Sequence, residues 1–364
     1  MSETQPILVL INRFAFGGAE QLVVDTVNEM HARGIDVRVV TVRPEGEHSM
    51  RGDLLIPGEH ITSVPFRGLF DVGAYVSLAR TMQKMRPRAI FMHLWFANTV
   101  GRIAVLFARA PRVITFEENV YDAVKSWRQF FLDRLLQGVS HTIIAVSESV
   151  KESLEKHGIN QKRVVVLLNA IDTKRLAPKE GERAVARAAL GLSEQEFVYL
   201  FIGRLIPQKG VDTLLRAFAH LESGTLLVVG DGVDRRSLED LALELHINHR
   251  VTFLGARRDL RSLFAAADCF VMPSRWEGFS IVLLQALAGQ MPVVATDYGS
   301  VRSVLRDGES GLIIPVDDVE ALGRALRRVA AEPELRERLR AGASVDVQRF
   351  SIEAHVDTLL RYVE

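Results

Sequence analysis

The feature that most narrows the fold of this chain is one alternation that runs twice. Ile7 to Ile11 is a short apolar run, Asn12 to Gly18 a glycine-ended loop, and a helical pattern follows to about Ala32. Val37 to Val42 is the next apolar run, after Gly34. Strand, glycine loop, helix, strand is the opening of a doubly wound α/β domain. Further strands are expected at 89–92, 113–116, 142–146 and 164–168, with helices at 74–86 and 123–137 and another opening at Glu148 behind Ser147. Residues 44–60, with Pro44, Gly46, Gly52, Pro57 and Gly58, read as a loop. After a polar stretch at 173–187 the alternation restarts. Strands are expected at 197–202, 226–229, 251–254, 269–272, 292–295 and 311–314, and helices at 211–221, 259–266 and 279–289. Three helices close the chain at about 318–331, 334–348 and 352–363. The fold class is therefore α/β, with two Rossmann-like doubly wound domains. At 364 residues the chain is long enough for both.

In open α/β sheets, ligands meet the loops at the carboxyl ends of strands. Two such loops carry unusual chemistry here. One is Gly203-Arg204-Leu205-Ile206-Pro207-Gln208-Lys209-Gly210. Arg204 and Lys209 repel each other on so short a loop unless an anion joins them. Arg offers a planar fork for phosphate oxygens and Lys a point charge, which together suit a diphosphate. The other is Pro273 to Ala286, read as strand end, tight polar loop and helix N-terminus. The first N–H groups of a helix lack partners within it and carry partial positive charge. Gly278, Phe279, Ser280 and Ile281 thus form a seat for an anionic group. Glu277 stands beside that seat. Gln285 lies eight residues on, roughly 12 Å along a helix of about 1.5 Å rise per residue.

These two loops, with Gly17-Gly18-Ala19-Glu20 and Asn169-Ala170-Ile171-Asp172, closely resemble the retaining glycosyltransferases of family GT4, which have the GT-B fold. The resemblance implies a catalytic role for Arg204 and Lys209 in steadying the charge of a departing diphosphate, since cations fixed there favour the transition state. It implies that Glu277 faces hydroxyls of the donor sugar and helps hold Lys209 or the sugar. It places Gly17 and Gly18 near the donor diphosphate, against the plainer reading of a glycine-opened helix. Gly203, Asp231 and Leu254 lie in loops that fit the border of the nucleotide. Three positions depart from the family pattern, the first being Ala170, which replaces the glycine of the family's Asn-Gly-Val-Asp boundary. Gln285 replaces the second acid of the Glu-x7-Glu motif, which binds the ribose hydroxyls; a glutamine still accepts through its carbonyl, without charge assistance. At the end of strand 113–116, Glu117 or Glu118 stands where many relatives have a histidine near the transferred sugar. The plainer reading of the two acids is a solvated turn. His93, at the end of strand 89–92, is either a turn residue or an acceptor contact. Expected boundaries are an acceptor-binding domain at 1–170, a nucleotide-sugar-binding domain at 171–350, and a last segment, 351–364, that crosses back to the first domain.

Composition excludes several other classes. Lys plus Arg and Asp plus Glu each number 45, so wholesale nucleic-acid binding is not expected. The single cysteine, Cys269, forms no disulfide within the chain and fits a reducing cytoplasm. The N-terminal apolar run is too short for a signal peptide, and no stretch approaches the roughly 18 apolar residues of a spanning helix. Gly17-Gly18 is not the six-residue dinucleotide fingerprint. No Asp-x-Asp triplet occurs, so the expectation is no metal and no cofactor, the donor being a UDP- or GDP-sugar. The acceptor is expected to be a saccharide or a lipid-linked glycan. Residues 66–136 hold 11 Lys and Arg against 5 Asp and Glu, together with Phe66, Leu69, Phe70, Trp127, Phe130 and Phe131. Such a segment is either core or a surface for the inner face of the cytoplasmic membrane. Two alternatives to transfer share this sequence pattern: a nucleotide-sugar 2-epimerase, and a nucleotide-sugar-binding protein without turnover.

Overall fold

The computed structural model describes residues 5–46, 49–108, 112–120 and 125–363. Its contacts divide the chain into two units: residues through Ile171 together with those from Ile352 onward, and Asp172–Ser351.

The first unit is built on seven strands: β1 (Ile7–Ile11), β2 (Val37–Thr41), β3 (Ile61–Ser63), β4 (Ala89–His93), β5 (Val113–Glu117), β6 (Thr142–Ala145) and β7 (Val164–Val166). They pair in the order β3-β2-β1-β4-β5-β6-β7, and every pairing is parallel. A parallel sheet is covered on both faces, so its strands read as continuous apolar runs, and β1, β4 and β5 are buried throughout. The covering helices are α1 (Gly18–Ala32), α2 (Val72–Met85), α3 (Trp95–Ala108), α4 (Trp127–Leu136) and α5 (Glu148–Lys156). Local signals fix several starts. The Asp71 side chain accepts from Ala74 N–H at 3.1 Å and Ser147 Oγ from Val150 N–H at 3.2 Å, each satisfying a helix-end donor. The sequence pattern misses β3 and α3, as it misses the helix Arg235–Glu244 of the second unit. Helix α3 is apolar on nearly every side, so it lacks the periodic polar face that marks a helix, and it starts one residue beyond the end of β4. Leu94, at φ 70°, makes that abrupt change of direction, and Asn12 Oδ1 accepts from Ala97 N–H at 2.9 Å. Residues 123 and 124, expected to open a helix, lie outside the described residues; α4 begins at Trp127.

The second unit repeats the plan with β8 (Val198–Ile202), β9 (Thr225–Val229), β10 (Val251–Gly255), β11 (Cys269–Met272), β12 (Val293–Thr296) and β13 (Leu312–Ile314). The order is β10-β9-β8-β11-β12-β13, again all parallel. Helices α6 (Glu182–Ala189), α7 (Val211–Ala219), α8 (Arg235–Glu244), α9 (Leu260–Ala266), α10 (Ile281–Ala288), α11 (Val319–Ala331) and α12 (Pro333–Asp346) surround it. Its core gathers Tyr199, Phe201, Leu214, Phe218 and Leu226 with Leu322 and Leu326 of α11. The last helix, α13 (Ile352–Arg361), packs on α1 of the first unit, where Arg33 pairs with Asp357. Ile352 N–H donates to Ile171 O at 3.0 Å, so the chain re-enters the first unit beside the residue where it left.

In each unit the strand order reverses once, between β1 and β4 and between β8 and β11. Loops leaving the two central strands part to opposite sides at such a point, and the crevice between them is where doubly wound sheets take ligands.

Candidate functional site

In the second unit the reversal lies between β8 and β11, so the loops 203–210 and 273–280 flank it. They are tied to each other at several points. Arg275 N–H donates to Gln208 O at 2.8 Å, and Gln208 Nε2 donates to Trp276 O at 2.8 Å. The Arg275 guanidinium reaches Pro207 O at 2.5 Å, Asp212 at 2.8 Å and Asp317 at 2.8 Å. Its hydrogen bond to Asp212, then that to Asp317, raises it above the usual guanidinium range, and the bond from Arg275 lowers Asp317. The close approach is backbone to backbone. Gly210 has φ +62°, and a Cβ there would lie 2.1 Å from Pro273 O. Gly230, at φ +132°, meets Gly203 O in the same way at 1.9 Å. Only glycine fits either contact.

Inside this frame, Lys209 Nζ lies 2.5 Å from Glu277 Oε1. The same oxygen accepts from Ser274 Oγ at 2.8 Å, while Gln208 Nε2 lies 3.4 Å from Oε2. Glu277 is 9% exposed, so both oxygens are engaged and nearly covered. The anion that joins the loop's cations is therefore, for Lys209, a carboxylate of the protein. Arg204 differs: it is exposed, and its guanidinium makes no hydrogen bond or ion pair with the described residues. The site thus presents one cation held in place and one uncommitted.

The anion seat is shorter than its sequence suggests. Helix α10 opens at Ile281, not near Phe279, because Ser280 caps it through Oγ, 3.4 Å from Leu283 N–H. Gly278 and Phe279 precede the helix. The Phe279 ring packs at 5.8 Å on Phe350 and is structural, so only the backbone of Phe279 can face an anion. Only the last four of the eight steps from Glu277 to Gln285 are helical, roughly 6 Å of rise, so the 12 Å expected of an unbroken helix between them does not apply. Gln285 is 4% exposed, and its side chain makes no hydrogen bond with the described residues. Its amide is not among the fully buried side-chain groups that lack a partner, so its polar atoms keep access to solvent, and water or a ligand can meet them. Asp231 Oδ1 accepts from Gly232 N–H at 2.8 Å at the end of β9, and Leu254 lies in β10, whose end is joined to β9 by Gly230 N–H to Gly255 O at 2.8 Å. Gly203, Asp231 and Leu254 therefore sit at adjoining strand ends.

In the first unit the reversal lies between β1 and β4. Gly17 is the N-cap and Gly18 the first residue of α1, and the Glu20 carboxylate lies over Gly17. His93 closes β4 and Glu117 closes β5. The two acids at this turn are not a solvated pair. Glu117 is 3% exposed, 3.0 Å from Lys125 Nζ and 3.4 Å from Asn98 Nδ2. Lys125 also meets Asp133 at 2.8 Å, and Asp133 meets Arg102 at 2.5 Å. Two buried acids and two buried cations thus alternate, which is how charges persist away from water. Glu118 turns the other way, its Oε1 2.9 Å from His93 Nδ1, and the His93 ring stacks on Phe116 at 3.9 Å. Lys125, Arg102 and Asp133 were not foreseen; nothing in their spacing marks them. Arg275, Gln208 and Ser274 escaped in the same way, since loop polar residues look alike until their partners are known.

The aromatic segment divides between the two readings given above. Phe66 and Phe130 are core, and Leu69 packs against it. Phe70, Trp127, Phe131 and Leu135 are 96%, 74%, 60% and 68% exposed. The last three recur every fourth residue along one face of α4.

Comparison with known proteins fits this geometry. Residues 16–175 match the model of Glycosyltransferase Family 4, and residues 182–345 that of Glycosyl transferases group 1. A D-inositol 3-phosphate glycosyltransferase of Saccharomonospora viridis is 31% identical over 94% of this chain and 88% of its own length. The lipopolysaccharide core biosynthesis glycosyltransferase LpsE of Rhizobium meliloti is 30% identical over 95% of each chain. Among solved structures, Anabaena Alr3699/HepE in complex with UDP and glucose superposes with a TM-score of 0.88, at 21% identity over 98% of this chain and 99% of that one. WaaG, a glycosyltransferase of lipopolysaccharide biosynthesis, superposes at 0.76 with 20% identity, over 98% and 99%.

Proposed function

The chain belongs to glycosyltransferase family 4, with the GT-B fold, and on that premise we propose that it moves a sugar from a nucleoside diphosphate sugar to a hydroxyl of a saccharide or lipid-linked acceptor, with retention at the anomeric carbon and without a metal ion. The observation that carries this is the cation pair on one loop at the strand-order reversal, Lys209 clamped by Glu277 and Arg204 uncommitted. When the glycosidic bond breaks, negative charge grows on the departing diphosphate. The ammonium, already held in place, opposes that charge without reorganising, and the uncommitted guanidinium is available to close on the diphosphate, so together they favour the transition state over the bound donor. In a retaining transfer the acceptor hydroxyl attacks the anomeric carbon on the leaving-group face, and a diphosphate oxygen takes its proton. Two protein cations supply what a divalent ion would otherwise supply. No group of three or more His, Cys, Asp or Glu suited to a metal occurs among the described residues, and the metal-free reading rests on the cations. UDP or UDP-glucose is bound in the structures of Alr3699/HepE, which makes a UDP-sugar the first donor to try.

The acceptor side of this reading rests on α4. Its stripe of Trp127, Phe131 and Leu135 lies beside the exposed Arg128 and Arg134, and its one acid, Asp133, is buried in an ion pair. That combination suits attachment to an anionic bilayer surface, where aromatic groups enter the interface and cations meet headgroups. No helix among the described residues is long and apolar enough to cross a membrane.

The test is a panel of UDP- and GDP-sugars screened by thermal shift, since tight ligands raise the melting temperature, followed by product analysis with excess EDTA present. Glycosyl transfer that survives the chelator, with the anomeric configuration of the donor kept, is the expected result. An inverted product, or activity abolished by EDTA and restored by magnesium or manganese, overturns the respective part. Flotation with anionic vesicles at about 0.15 M salt, where screening spans about 8 Å, tests the α4 surface; protein left wholly in the soluble fraction rejects it.

A further inference from the structure

The pair His93–Glu118 is not part of the ion-pair chain that absorbs Glu117. The two side chains are 3% and 7% exposed and 2.9 Å apart. They come from the ends of neighbouring strands, since His93 of β4 is the register partner of Phe116 in β5. The ring is held from one side by its stack on Phe116, and Leu94 in the left-handed region turns the chain away beyond it. With Nδ1 engaged by the carboxyl, Nε2 is the ring nitrogen left for a ligand. From this geometry we infer that His93 presents Nε2–H as a hydrogen-bond donor to an oxygen of the transferred sugar or of the acceptor, and that the Glu118 carboxyl fixes the tautomer. The inference rests on the glycosyl-transfer reading above for the identity of that oxygen, but not for the state of the ring.

The proton count follows from burial. Away from water both groups prefer their neutral forms. Burial pushes the His93 imidazole down to about 3. Burial, then the neighbouring charge of Glu117, pushes the Glu118 carboxyl up to about 8, against the opposing hydrogen bond from Leu94 N–H. Near neutral pH the carboxyl is therefore protonated and donates to Nδ1. A neutral imidazole has one hydrogen, so it sits on Nε2. Above about 8 the carboxylate forms, Nδ1–H donates to it, and Nε2 becomes an acceptor. Among the described residues, the charged and titratable neighbours are Glu117, neutralised by Lys125 from the stretch before α4, and His355 of α13, which burial holds neutral and whose Nδ1 lies 3.0 Å from Leu168 O. Of these, only Glu117 presses on Glu118, and its charge is paired. In this scheme His93 touches substrate, and Glu118 is a positioning residue.

The test pairs two readouts. Long-range proton–nitrogen correlation on the nitrogen-15-labelled protein, with His93 assigned by its loss in His93→Gln, gives the tautomer without reference to activity. Initial-rate kcat/KM from pH 6 to 10 gives the function. The expected result is Nε2–H at pH 7, exchange to Nδ1–H above about 8, and a tenfold fall in kcat/KM per pH unit over the same range. Glu118→Gln cannot ionise, so both changes with pH should vanish. In that variant the spectrum tells which way the amide has turned, and kcat/KM must follow it: near wild type with Nε2–H, lowered at least tenfold with Nδ1–H. An Nδ1–H ring in wild type at pH 7, an alkaline fall that persists in Glu118→Gln, or activity that does not follow the tautomer overturns the inference. If no nucleotide sugar is turned over at any pH, the transfer reading fails, and the spectrum still decides the state of the ring.

Discussion

Replacing Lys209 with methionine should separate the catalytic use of that charge from its structural use. The ammonium lies 2.5 Å from Glu277 Oε1, with the two side chains 14% and 10% exposed. Methionine keeps most of the volume and removes the charge. On the catalytic side, a hydrogen bond to a charged group contributes about 1.5–3 kcal/mol. That corresponds to a fall in kcat/KM of roughly 10- to 150-fold at 1.36 kcal/mol per decade. On the stability side, removing one partner of a buried ion pair costs about 3–5 kcal/mol when the other charge is stranded. Glu277 is not wholly stranded, because Ser274 Oγ stays at 2.8 Å and Gln208 Nε2 at 3.4 Å. A loss of about 1–3 kcal/mol is therefore expected, below the full cost of stranding and above a neutral surface change. The double variant Lys209→Met/Glu277→Gln removes the stranded charge as well. It should recover most of the stability and none of the activity. Steady-state release of the nucleoside diphosphate and urea unfolding of the wild type and the two variants measure both quantities. Turnover within twofold of wild type in Lys209→Met would refute the reasoning outright. Recovery of activity in the double variant would also refute it, since the defect would then lie in the stranded Glu277 carboxylate and not in the missing ammonium.

Arg204→Ala should lower kcat/KM more than tenfold while leaving the melting temperature almost unchanged, because the side chain is exposed and uncommitted; a variant as active as wild type removes Arg204 from the diphosphate site. Gln285→Ala should weaken nucleoside diphosphate binding about fivefold, the worth of roughly 1 kcal/mol of neutral hydrogen bonding, and calorimetry showing equal affinity would mean that its buried amide meets no ligand. Acid should loosen α13. His355 is held at about 4 by burial against an ordinary 6.5, so its stabilising contribution is complete above 6.5 and is lost as pH falls from 6.5 towards 4. At pH 5 the difference of about 1.5 units corresponds to roughly 2 kcal/mol. Hydrogen exchange of the α13 amides should therefore quicken between pH 7 and 5 beyond the intrinsic pH effect, and His355→Asn, which cannot gain the charge, should not show it.

The alternation of strands and helices was legible because buried parallel strands are bare apolar runs. Ile7–Ile11, Val198–Ile202 and Cys269–Met272 all stand out in that way. Helix α3 was not, since its burial on most sides erases the polar face. Nor was β3, three residues long at a sheet edge and only partly buried, with little apolar signal to offer. At the site, the glycines and cations of 203–210 were readable as a pattern on one loop. What joins them was not: the Lys209–Glu277 pair spans 68 positions and the Arg275–Asp317 pair 42. The same limit left Glu117 and Glu118 undivided, because adjacent residues at a strand end point to opposite sides, and only their partners, Lys125 and His93, tell the two apart.

The return of α13 to the first unit has a consequence for how the protein is made. In chain order the whole of Asp172–Ser351 is an insertion within the unit that surrounds it. During synthesis the surface of α1 that receives α13, including Arg33, therefore waits uncovered while 180 further residues are translated. The second unit can close its own core before the first has its last helix. Chains ending at Ser351 and released from the ribosome should thus carry a second unit that resists protease and a first unit that is still cleaved near α1. A premature stop in the same place would injure the unit encoded furthest from it.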